Sequence, residues 1–256
     1  MRKIDLNADL GEGFGAYSAG DDEGILPLVT SANIACGFHA SDPVIMDRTV
    51  GAALAHGAGI GAHPGYPDLL GFGRRALAAS PAEIRSYVLY QIGALAAFCA
   101  AHGTRLSHVK PHGALYNTAA KDDAVSEAVC DAVASFDNRL ILVCQGGSRT
   151  EACARKKGLR VAREVFADRR YERDGSLTPR SRPGAVLSDP EECAAQVLKI
   201  VREGKVTTSD GGEISLEADT VCVHGDSPGA LAAARRICAL LEREGIRVVP
   251  LGGIVP

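Results

Sequence analysis

Short apolar runs alternate along this chain with longer amphipathic stretches. The short runs are "KIDLNA" (3–8), "SANIAC" (31–36), "GIGA" (59–62), "LSHV" (106–109), "LILVC" (140–144), "LRVARE" (159–164), "TVCV" (220–223) and "IRVVP" (246–250). Their length and composition predict β-strands. Many of the stretches between them predict helices with clear ends. Four helices open on a capping residue followed by proline: Asp42-Pro43, Ser80-Pro81, Asp189-Pro190 and Ser227-Pro228. Glu83, three residues after Ser80, fits a capping box. Four helices stop at a glycine able to take the left-handed conformation, at Gly57, Gly103, Gly158 and Gly245.

The β-α unit thus repeats about seven or eight times, which predicts an α/β fold with a parallel sheet and its helices outside. An open doubly wound sheet and a closed barrel both fit. The number of units and the 256-residue length favour an irregular (β/α) barrel of seven strands. No linker interrupts the pattern, so residues 1–256 read as one barrel domain. Two stretches depart from it. Residues 204–219 alternate around Asp210-Gly211-Gly212 and predict a small β-hairpin. Residues 165–185, rich in Arg, Asp, Pro and Gly, predict a long functional loop.

The net charge of −3 gives no reason to expect nucleic acid or anionic lipid as a partner. The basic run "ARKKGLR" (154–160) reads as a solvated helix end. The N-terminus turns polar too soon for a signal peptide, and no apolar run looks long enough to cross a bilayer. None of the eight cysteines forms a C-x-x-C, and most lie in apolar runs, as buried thiols in a reducing compartment do. A cytoplasmic location is expected.

The polar residues fall at one phase of the repeat. In a parallel β/α fold every strand ends at the same face, where the following loops build the site. Asn7, Asp9 and Glu12 end or follow the first strand, Asn33 and His39 the second, and His63 the third. Lys110 and His112 follow the fourth and Gln145 the fifth. Glu164 closes the sixth, ahead of Asp168, Arg169 and Arg170, and His224 and Asp226 follow the seventh. His56 and His102 precede helix-stopping glycines, where a helix dipole favours them without chemistry. His108 lies inside its strand and reads as structural. No G-x-x-x-x-G-K-[ST] occurs, and "GEGFG" (11–15) has the wrong spacing for a dinucleotide fingerprint, so no ATP cradle is recognisable.

Six blocks together resemble the LamB/YcsF family: "DLNADLGEGFG" (5–15), "NIACGFHASDP" (33–43), "GAHPGYPDLLGFGRR" (61–75), "HVKPHGALYN" (108–117), "EVFADRRYERDGSLTPR" (164–180) and "CVHGDSPGA" (222–230). One departure is visible: Ser41 stands where the family pattern has glycine. The resemblance implies a barrel similar to the glycoside hydrolase/deacetylase superfamily. It implies a role as the A subunit of ATP-dependent 5-oxoprolinase, opening the lactam of 5-oxo-L-proline to L-glutamate, with ATP and the B and C partner subunits required.

Such chemistry needs a base for water, donors for a developing oxyanion or phosphate, and a cation for a carboxylate. Asp9, supported by Asn7, is the expected base, and His63 and His112 are expected to pass protons. Lys110 is expected to neutralise phosphate or carboxylate, as are Arg75 or Arg169. Glu12, Asn33, His39, Glu164, Asp168 and His224 complete the expected binding residues. A rival reading is a metal-dependent, deacetylase-like hydrolase with Asp9, His39, His63 and His112 as ligands. A third is a substrate-binding subunit without chemistry of its own.

Overall fold

A computed structural model describes residues 2–223 and 229–255. Strand β1 (Lys3–Leu10) shows how the sequence builds it, because its residues strictly alternate. Ile4, Leu6, Ala8 and Leu10 join the main apolar core. Asp5, Asn7 and Asp9 take the opposite face and bond to residues of other strands.

The remaining strands are β2 (Ser31–Ala35), β3 (Gly59–His63), β4 (His108–Val109), β5 (Ile141–Gln145), β6 (Arg160–Phe166), β7 (Lys205–Thr207), β8 (Glu213–Ser215), β9 (Thr220–Cys222) and β10 (Arg247–Val248). Strands β1 to β6 pair in sequence, all parallel, and β9 pairs with both β6 and β1. The ring therefore closes as a seven-stranded parallel barrel. The eighth sequence-predicted strand, β10, meets β1 only at Lys3 and Ile4, just before β9 takes over that edge at Asp5. The pair β7–β8 is the antiparallel hairpin, with Val206 opposite Ile214.

The helices are α1 (Asp22–Ile25), α2 (Pro43–Ala55), α3 (Pro81–Ala101), α4 (Gly113–Ala119), α5 (Asp123–Phe136), α6 (Arg149–Lys156), α7 (Pro190–Glu203) and α8 (Ala230–Arg243). Asp42, Ser80 and Asp189 cap α2, α3 and α7 as expected, Ser80 with its full capping box. The Ser227-Pro228 pair lies outside the described residues. Gly57, Gly103, Gly158 and Gly245 take φ between 67° and 73°. Ser41 stands at φ 75°, in the left-handed region where its Cβ is penalised and glycine is not.

One expectation is corrected. Helix α3, with 21 residues, is long and apolar enough to cross a membrane by length and composition. Here it walls the barrel, burying Ile84, Val88, Ile92, Leu95 and Cys99. Gln91 on the same helix exchanges two hydrogen bonds of 2.9 Å with the backbone N–H and C=O of Gly65, in the loop after β3. All eight cysteines are free thiols.

The barrel interior is polar, where such barrels are usually filled by branched apolar side chains. Asp5 accepts hydrogen bonds from Thr30, Ser31 and Thr220. Asn7 donates to Thr220, and Asn33 donates to Asn7 and Asp9. His108 fills the space beside Gly61: a Cβ there would stand 2.1 Å from the imidazole Nε2. Gly61→Ala therefore forces the buried ring or β3 to move. It is expected to lower unfolding free energy by about 1–3 kcal/mol, as overpacking does, measured by urea denaturation.

Candidate active site

At the C-terminal ends of the strands lies a cavity of 440 Å³. Asp9, His63, Lys110 and His112 all line it, together with Glu12. Its walls come from the loops after β3, β4 and β6, which contribute Arg74, Lys121, Arg169 and Arg180. Tyr116 on α4, one turn after His112, also reaches it.

Lys110 is the centre of the charge pattern. Its Nζ lies 2.8 Å from Asp9 Oδ1 and 2.9 Å from Glu164 Oε1, and contacts Cys222 Sγ at 3.2 Å. The approach to Glu164 is an ion pair without hydrogen-bond geometry, and among the described residues neither Glu164 oxygen has a hydrogen-bond partner. Burial acts to discharge the Lys110 ammonium, but the neighbouring Asp9, Cys222 and Glu164 outweigh it and hold the pKa well above the usual lysine range. Lys110 is thus a fixed cation in a buried place. Burial first, then Glu164, pushes the Tyr116 phenol up.

Three imidazoles meet beside it. His63 Nδ1 lies 2.7 Å from the Lys110 carbonyl, and His63 Nε2 lies 2.9 Å from His112 Nδ1. His112 Nε2 lies 2.9 Å from the Phe72 carbonyl. His39 stacks on His112 with ring centres 3.7 Å apart and planes 5° from parallel. Glu12 Oε1 is 3.3 Å from both His39 Nε2 and His112 Nδ1, and Asp9 Oδ2 is 3.3 Å from His63 Nε2. Burial holds His39 and His112 well below the usual histidine range. Gly73 lets the loop after β3 press on this stack, since a Cβ there would come within 2.7 Å of His39 and 2.8 Å of His112.

The structure does not gather every sequence-predicted residue at the cavity. Asn7, Asn33 and Glu164 lie buried beneath it as supports for Asp9 and Lys110. His39 is buried behind His112. Asp168 is buried, its carbonyl tied to Leu187 N–H, while its neighbour Arg169 lines the wall. Arg75 turns to Asp68 on the loop surface, and Arg74 takes the place at the cavity. His224 lies outside the described residues. Arg74, Lys121, Arg180 and Tyr116 were not singled out from sequence. Only Tyr116 carried a signal, its helical spacing of four from His112.

His108 links this site to the interior network. Asn33 uses its amide nitrogen on Asn7 and Asp9, so its Oδ1 must accept from His108 Nε2, 2.8 Å away. His108 is therefore the Nε2–H tautomer, with Ser107 Oγ 2.7 Å from its Nδ1. Burial, then the Lys110 charge, pushes its pKa down to about 3. A depressed folded pKa contributes stability that is present above the unfolded value near 6.5 and lost as pH falls toward 3. Asp5 works the other way. Burial raises its pKa to about 6, so its contribution is present below 3.8 and lost as pH rises through 6. His108→Gln removes only the first effect. Relative to that variant, the wild type is expected to lose about 3 kcal/mol between pH 7 and about pH 4.5, read from urea unfolding at each pH.

Fold and site together define a seven-stranded (β/α) barrel with a buried acid–base cluster under a cation-walled cavity. Sequence comparison narrows this: residues 4–255 match the LamB/YcsF family, and the chain belongs to it. It is 55% identical to the 5-oxoprolinase A subunit of Syntrophobacter fumaroxidans over 98% of this chain and 99% of that one. The crystal structure of the lactam utilization protein from Thermus thermophilus superposes with a TM-score of 0.92 at 52% identity, covering 96% of this chain and 99% of that one. The T48 deacetylase shares the fold, with a TM-score of 0.50 at 13% identity over 99% of this chain and 90% of that one.

Proposed function

We propose that this chain is the A subunit of an ATP-dependent 5-oxoprolinase. It contributes the opening of 5-oxo-L-proline to L-glutamate, while the B and C partner subunits supply ATP-dependent activation. The observation that carries this reading is the cavity floor, where Asp9, His63, Lys110 and His112 meet beneath walls bearing Arg74, Lys121, Arg169 and Arg180. The near-full-length similarity to several 5-oxoprolinase A subunits supports it.

The lactam amide is a poor electrophile, and placing the ATP γ-phosphoryl group on its oxygen makes the ring carbon open to water. The next step decides the outcome. If phosphate leaves first, the lactam re-forms; if the C–N bond breaks first, γ-glutamyl phosphate results, and a second water converts it to glutamate and phosphate. The site must therefore take a proton from water and deliver one to the ring nitrogen. Asp9 is the base, held by Lys110 and Asn33 with Oδ2 left toward His63. The fixed Lys110 charge and the wall cations suit a ligand carrying both carboxylate and phosphate.

The test is reconstitution. The purified chain, the B and C subunits, ATP and 5-oxo-L-proline are expected to yield glutamate and phosphate together, and omission of any one protein is expected to stop glutamate formation. Glutamate formed equally well without this chain overturns the assignment. ATP hydrolysis by this chain alone overturns the division of labour.

A further inference from the structure

The three imidazoles pose a problem of protons. A carbonyl oxygen can only accept, so His63 must carry a hydrogen on Nδ1 toward Lys110 O, and His112 one on Nε2 toward Phe72 O. Flipping either ring does not escape this, because it would put carbon 2.7 or 2.9 Å from a carbonyl oxygen, below the roughly 3.3 Å of such contacts. In its neutral form each ring then turns a lone pair inward. Those lone pairs, on His63 Nε2 and His112 Nδ1, face each other at 2.9 Å. Glu12 Oε1 stands 3.3 Å from the second, and the reachable atoms of Glu12, His39, His63 and His112 all lie within 4.8 Å of one another. With both rings neutral, electron-rich atoms converge, an arrangement that repels unless a cation, an added proton or a metal ion, lies among them.

We propose that His63 Nε2, His112 Nδ1 and Glu12 Oε1 bind one first-row divalent transition metal ion. Two imidazoles and a carboxylate are a donor set for such ions rather than for magnesium or calcium. The spacings fit: bonds of about 2.0–2.1 Å give tetrahedral edges of about 3.3–3.4 Å, against 2.9 and 3.3 Å here. Three protein ligands leave a fourth position for water or substrate, as catalytic sites do. Glu12, His63 and His112 all line the cavity, and Asp9 Oδ2, 3.3 Å from His63 Nε2, stands beside the position as base rather than ligand.

His39 is a positioning residue, not a ligand. Its ring lies parallel to His112 at 3.7 Å, so the two rings cannot both aim their lone pairs in-plane at one ion. Its Nδ1 is buried without a partner among the described residues, which puts its hydrogen on Nε2, toward Glu12 Oε1 at 3.3 Å.

The readout needs neither lactam nor the other subunits, so it stands or falls apart from the functional reading. Full-length protein is dialysed against chelator, then titrated calorimetrically with zinc, cobalt or manganese alone. X-ray absorption of the loaded protein reads the ligands. One equivalent of at least one of these ions is expected to bind, with two imidazoles and no sulfur. His63→Ala and His112→Ala are each expected to weaken binding at least about a hundredfold. Glu12→Gln, a smaller change to the fold, is expected to weaken it at least about tenfold. His39→Ala is expected to weaken it about ten- to a hundredfold with the stoichiometry kept, and His39→Gln, which restores a donor, to recover part of that. Uptake below a tenth of an equivalent with all three ions overturns the proposal, as does sulfur ligation or unchanged binding in folded His63→Ala and His112→Ala proteins. Metal binding without 5-oxoprolinase activity in the reconstituted complex leaves this proposal standing and removes the other.

Discussion

Lys110→Ala is expected to abolish glutamate formation in the reconstituted complex and to lower unfolding free energy by about 3–5 kcal/mol. The reason is the two carboxylates it leaves behind. Asp9 and Glu164 lie 2.8 and 2.9 Å from the ammonium, and Glu164 is 1% exposed with no hydrogen-bond partner among the described residues. Removing the cation strands Glu164 in a place water does not reach and leaves Asp9, at the cavity, without its counter-charge. Lys110→Met with Glu164→Gln removes the orphaned charge along with its partner. That double variant is expected to regain most of the stability and none of the activity. Urea unfolding and the coupled glutamate assay separate the two effects. A Lys110→Ala protein as stable as wild type would show that the carboxylates do not depend on it.

Asp9→Asn is the second large effect. The amide keeps the shape of the carboxylate, and its Oδ1 still accepts from Lys110 and Asn33. It cannot take a proton from water. The turnover rate of the complete complex is expected to fall about a hundred- to ten-thousand-fold, with a thermal midpoint close to that of wild type. Full activity in this variant removes Asp9 from the base role while leaving the cavity where it is.

Much of the fold is legible in the sequence because it is local. The apolar runs locate β1 to β6, β9 and β10, and Asp42, Ser80 and Asp189 cap helices as their proline neighbours suggest. The phase of the polar residues brings Asp9, His63, Lys110 and His112 to one cavity because parallel strands share an end. What stays hidden is direction. Arg74 and Arg75 are adjacent in an irregular loop, and only the folded loop decides that the first faces the cavity and the second faces Asp68. The alternation "IDLNADL" is visible in the chain, but reading Asp5, Asn7 and Asp9 as the interior face requires knowing that the sheet closes. The stacking of His39 on His112 joins loops more than seventy residues apart, and no spacing rule reaches it. Helix α3 shows the converse error, since its apolar length serves packing against a barrel wall.

The two-way clamp between Gln91 and Gly65 has a wider meaning for how this protein tolerates change. It anchors the peptide two residues beyond His63 to a helix on the outer layer. The reactive centre is therefore aligned from behind, and a shift of α3 at Gln91 reaches the loop beyond His63 through this amide.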